Sequence, residues 1–137
     1  MANVKFDRTL SVEMLEGDPW SDPPEDSTGL VRSVHELRKR PVGTLSAWDL
    51  ARLIGQDVAL PWTLPLGVEI LRDTAPKQVE TGWYDDELLT AVLNRKSSTW
   101  STFPELAQEM VNVLEILTDL PSYIQRDVVK FRSRLPW

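Results

Sequence analysis

The stretch from Val58 to Leu71, VALPWTLPLGVEIL, is apolar on nearly all sides and carries one charge, Glu69. It is too short to span a bilayer. It therefore predicts a central buried helix, which other apolar faces must surround. Pro61 suits the first turn of such a helix, whereas Pro65 marks either a kink or the true start.

The rest of the chain supplies those faces at helical spacing. A short first helix is expected over Thr9 to Glu16, anchored by Leu10 and Leu15, and the run DPWSDPPEDS then breaks regularity. Ser27 is the N-cap expected for a second helix, with Leu30, Val31, Val34 and Leu37 on its inner face and Pro41 as its stop. Arg38, Lys39 and Arg40 occupy its last turn, where the helix dipole and solvent account for them. Ser46 and Asp49 form a capping-box start for a third helix that turns Leu50, Leu53 and Ile54 inward and closes at Gly55.

After the central segment, Asp85, Asp86 and Glu87 open a helix that buries Leu88, Leu89, Val92 and Leu93, with Asp85 as its cap. Thr102 and Glu105 are a further capping box around Pro104, ahead of the stripe Leu106, Met110, Val113, Leu114, Leu117 and Leu120. Ile124, Val128 and Phe131 follow as a separate helix or a continuation bent at Pro121. Between Pro76 and Gly82 only Val79 is apolar, too little alternation for a strand. The expectation is an all-α, compact single-domain bundle of about six to seven helices over residues 1–137.

Chemistry is scarce. No cysteine is present, which removes disulfides and thiolate sites, and the only histidine is His35. A lone histidine beside an apolar helix face reads as a packing residue rather than a general base. Neither a zinc ligand set nor a phosphate-binding glycine loop is present. The expectation is no enzyme, no catalytic residues, no metal and no cofactor. The net charge of −6 disfavours nucleic acid and anionic membrane and favours a basic partner. With no export signal, the expected compartment is the cytoplasm.

Several pieces, taken in order, carry a family resemblance. Leu15-Glu16 and Trp20 precede Asp26-Ser27. Leu30-Val31 and His35 lead into Leu37-Arg38-Lys39-Arg40-Pro41. Leu53-Ile54-Gly55-Gln56, the proline-punctuated apolar run, Asp86 to Leu93 and Trp100 follow. Over roughly residues 9 to 100 this pattern resembles the immunity proteins of bacterial contact-dependent growth inhibition systems, with Val42 where leucine is more usual. The resemblance implies a small protein that neutralises a cognate toxin C-terminal domain by stoichiometric binding and has no chemistry of its own. The acidity points to a basic, nuclease-type toxin.

Two segments are the expected toxin-binding residues. One is the acidic loop with Glu16, Asp18, Trp20, Asp22, Glu25 and Asp26. There the carboxylates would steer a basic cleft, and Trp20 either anchors the contact or folds back as a lid. The other is Trp83, Tyr84, Asp85, Asp86 and Glu87, where interface-type aromatics adjoin three consecutive acids. Helix capping and packing explain this second segment equally well. The rival reading of the chain is a helical scaffolding domain, for which a large exposed apolar patch would speak. An acidic groove rimmed by aromatics would speak for the inhibitor.

Overall fold

Proline, glycine and serine interrupt this chain often enough that its helices are short. A computed structural model describes residues 6–137 and places nine α-helices among them. These are α1 Val12–Glu16, α2 Gly29–Leu37, α3 Ala47–Gly55, α4 Leu60–Thr74 and α5 Gln78–Thr81. The remainder are α6 Asp86–Leu93, α7 Ser97–Thr102, α8 Pro104–Ile116 and α9 Ser122–Ser133. The all-α expectation holds: the described residues contain no strand, only an isolated bridge between Ser11 and Pro41. None of their helices is long and apolar enough to cross a membrane.

α4 occupies the centre, with α3, α6 and α8 packed against it. It is one continuous helix, so Pro65 is neither its start nor its end. Ala59 enters in the left-handed region (φ 52°), and the Thr63 hydroxyl donates to the carbonyls of Val58 and Ala59. The carbonyl that loses its donor at Pro65 belongs to Pro61, an exposed residue, so the proline is tolerated. Gly67 lets three helices meet. A Cβ there would lie 2.7 Å from Ile54 Cδ1 on α3 and 3.3 Å from Leu88 Cδ1 on α6. Replacing Gly67 by leucine is expected to cost about 1–3 kcal/mol through overpacking. Urea unfolding would show this as a lower midpoint; an unchanged midpoint would mean that the crossing is looser than these distances imply.

α3 starts as expected, with Ser46 and Asp49 forming both bonds of the capping box. Its end differs. Gly55 is still helical, and Asp57 (φ 56°) makes the reversal, with Val58 N–H donating to Leu53 O and Asp57 N–H to Ile54 O. The Asp57 carboxylate then accepts from Arg95 at 2.6 Å, tying this turn to the end of α6. Farther along, Trp100 and Phe131 meet edge to face at 5.1 Å, which docks α9 on α7.

Other boundaries shift for local reasons. The first helix begins after a Ser11 cap, and Thr28 rather than Ser27 caps α2. The Thr102–Glu105 box does not form, because Thr102 ends α7 and its hydroxyl donates to Ser98 O. α5 and α7 lacked the apolar periodicity that would have announced them. α8 stops at Ile116, leaving Leu117 buried beyond it in extended backbone, and α9 is a separate helix after Pro121. Leu30 and Val31, expected inside, are exposed. Arg38, expected in solvent, is buried.

Candidate functional site

The side-by-side packing of α3 and α6 brings their N-terminal ends together and forms a groove between them. Gly82 (φ 74°) ends α5, and Trp83 N–H donates to the Thr81 hydroxyl, which launches Trp83 and Tyr84 toward α3. There they join Ala47 and Trp48, with Asp85, Asp86 and Glu87 along the same wall. A neighbouring groove of about 480 Å³ shares Trp48, Asp86 and Glu87 and extends past Arg52 and Thr90 to Tyr123 of α9. The structure thus gathers all five residues of the second expected segment on one face.

Trp48 and Trp83 are 51% and 57% exposed, so each indole withholds roughly 100 Å² of apolar surface, worth about 2.5 kcal/mol if covered. Asp85, Asp86 and Glu87 enter no ion pair among the described residues. Arg52, the cation on this wall, instead donates to the Ser33 hydroxyl at 2.9 Å and stands 5.4 Å from the Trp48 ring. Asp85 sits at the N-cap position of α6, but its side chain makes no capping bond, contrary to expectation. Asp86 accepts from the Glu87 N–H instead.

Burial, followed by the charge of Asp86, pushes the Asp85 carboxyl above its ordinary value, and a hydrogen bond from Thr74 offsets part of this. Burial also raises the Tyr84 phenol, with Tyr123 and Asp86 adding to it. A carboxyl whose native pKa is raised destabilises the fold when ionised, and that penalty is relieved as pH falls through the raised native pKa toward 3.8. Asp85→Asn is therefore expected to melt higher than the native protein at pH 7, with the gap closing toward pH 4. A gap that widens on acidification would reverse the assignment.

The acidic loop is held differently. The Arg38 guanidinium donates to the Glu16 carboxylate at 2.6 Å and to Asp18 O at 2.8 Å, with Trp20 stacked 3.8 Å away. Trp20 also meets His35 edge to face at 5.1 Å, so it lies back against α2 as a lid, keeping one flank in solvent. Lys39 approaches Asp22 at 3.5 Å, and Arg32 donates to the carbonyls of Glu25 and Ser27. Glu16 is thus already engaged by Arg38. Asp18, Glu25 and Asp26 keep exposed carboxylates with no ion pair among the described residues.

A further cavity of about 460 Å³ lies between α4 and the start of α8, walled by Pro61, Pro65, Phe103 and Pro104. Its Glu69 and Glu109 are already paired, with Arg8 and Arg72, which leaves Glu105 as its one carboxylate outside an ion pair among the described residues, against three in the α3–α6 groove. Among the described residues, no three or more histidine, aspartate or glutamate side chains gather as a metal site would need.

Sequence reasoning missed Trp48, Arg52 and Tyr123 as site residues. Trp48 and Arg52 lie at i, i+4 on the face of α3 opposite Leu50, Leu53 and Ile54, and that position was the available signal. Nothing local marks Tyr123, which only the packing of α9 on α6 brings there.

A family profile described as CDI immunity proteins matches residues 14–110, which include the acidic loop, all of α3 and the 83–87 segment. No curated protein and no solved structure matches the chain.

Proposed function

This chain belongs to the CDI immunity proteins, and we propose that it protects the producing cell by binding one cognate toxin domain stoichiometrically in the cytoplasm. Members of that family confer immunity to a toxin, and the expected mode is binding rather than catalysis. The toxin domain is basic and of the nuclease type, because a cleft built to hold phosphates complements exposed carboxylates. One observation carries the choice of face: two half-exposed indoles stand in the α3–α6 groove beside three carboxylates that enter no ion pair among the described residues. The indoles supply area that is desolvated on contact, and the acids supply steering and register. This acidic, aromatic surface favours an inhibitor over a self-assembling scaffold, for which a large apolar patch would be the signature.

The test uses the toxin domain at the C-terminus of the protein encoded beside this one. Calorimetric titration is expected to give a one-to-one complex of nanomolar or tighter affinity, and co-expression is expected to restore growth to cells making the toxin. A folded toxin domain that shows no heat of binding and no rescue would overturn the proposal.

A further inference from the structure

The inner stripe of α2 runs out past the core. Leu37 and Val34 are buried, but one turn earlier Leu30 and Val31 are 42% and 39% exposed. Beneath them lies an open groove of about 230 Å³ whose other walls are Trp20, His35, Gln56 and Val58. Leu30 thus continues the core-facing row of Val34 and Leu37 into the wall of an open groove. This exposure is not a fraying effect, since Thr28 caps this turn and Arg32 fastens the loop at Glu25 and Ser27 to it. The fold holds an apolar slot open.

The slot opens at the C-terminal end of α3, and the acidic groove at its N-terminal end. Trp48 and Arg52 lie at i, i+4 on the outward side of α3, and Gln56, its C-cap, follows at i+8. Trp48 borders the acidic groove and Gln56 borders the slot. Eight residues of helix separate the two by roughly 12 Å, within the footprint of one protein partner. Glu25 and Asp26, just before the cap of α2, expose carboxylates, two acids against the one nearby cation, Arg32, which donates to the Glu25 and Ser27 carbonyls.

We infer that this slot is a second subsite for the toxin domain, receiving an apolar side chain flanked by lysine or arginine, so that the toxin straddles α3. The inference rests on the binding function proposed above. The apolar side chain would add desolvated contact area at a point remote from the acidic groove, and the flanking cations would face Glu25 and Asp26. Such anchors act chiefly on dissociation.

The experiment titrates the toxin domain, by surface plasmon resonance, with the full-length chain carrying Leu30→Glu, Leu30→Arg or Val31→Arg. Both positions are exposed, so melting temperatures should match the native protein, and Leu30→Ala provides a milder variant should a charge disturb the fold. Leu30→Arg and Val31→Arg are expected to raise the dissociation rate at least tenfold, and Leu30→Glu is expected to cost less than Leu30→Arg. Native-like dissociation for all variants, while the native chain binds tightly, would overturn the subsite and leave the inhibitor function standing. A greater loss with glutamate than with arginine would overturn the stated flanking chemistry. A native dimer in light scattering that Leu30→Arg dissociates would give the slot to a second copy instead. No binding by the native chain would remove the function and the subsite together.

Discussion

Reversing Asp86 and Glu87 to lysine is expected to weaken toxin binding about a thousandfold while leaving the fold intact. Both side chains are exposed, and no ion pair among the described residues depends on them. The one local bond lost is that from the Glu87 N–H to Asp86, at a helix start where acids are favoured by a few tenths of a kcal/mol to about 1 kcal/mol each. On the binding side, each lysine removes a desolvated charge pair and sets like charges against a basic toxin. Such changes cost about 2–5 kcal/mol, and a thousandfold loss corresponds to about 4 kcal/mol. Substituting Trp48 or Trp83 by alanine should separately cost about 2 kcal/mol or more, the scale of an aromatic anchor at an interface centre. Calorimetry at two salt concentrations checks the mechanism: the charge reversal should flatten the salt dependence, and the tryptophan variants should keep it. Tight binding by the double-lysine variant would move the interface elsewhere on the molecule.

How much of this was legible beforehand divides along a physical line. The apolar run around Leu64 and Val68 could only be central, and the Ser46–Asp49 box announced α3, because burial and capping are local in sequence. The Asp85–Glu87 cluster and its adjacent aromatics were also legible as a candidate surface. Assignments that needed tertiary knowledge were less secure. Leu30 and Val31 fit the inner face of α2 by period, yet whether anything lies beneath them depends on where α3 ends. That end is set by an aspartate in the left-handed region, a residue that composition alone would not choose over Gly55. Trp48 and Tyr123 come from helices far apart in sequence and meet only across α6. Pro65 reads as either a kink or a start because its effect on a helix is fixed, while its tolerance depends on whether the orphaned carbonyl reaches the surface. Arg38 looked like one member of a solvated basic triplet, and the structure makes it the most deeply buried charge in that turn.

Arg38→Ala is expected to cost about 3–5 kcal/mol, the range seen when one member of a buried ion pair is removed. Arg38 is 1% exposed, and its Nη2 serves both the Glu16 carboxylate and Asp18 O, so a single truncation strips two acceptors of their donor. Glu16 keeps a quarter of its side chain in solvent and can recover some hydration, which sets the cost toward the lower end. The stacked contact with Trp20 at 3.8 Å goes as well. A methionine comparison separates charge from packing. Arg38 Nε is buried without a hydrogen-bond partner among the described residues, so the native residue carries an unsatisfied donor that methionine would not. If packing of the stem dominates, Arg38→Met should regain at least half of the stability that alanine loses, more so when combined with Glu16→Gln. If the ion pair dominates, methionine and alanine should unfold at the same urea concentration. Function gives the second readout, because the pair fastens the loop that carries Trp20, Glu25 and Asp26 to α2. Amide exchange across residues 17–27 should quicken in Arg38→Ala well before global unfolding, and toxin dissociation should quicken with it. A variant that loses stability but keeps a protected loop and native dissociation would confine Arg38 to the core and detach the loop from binding.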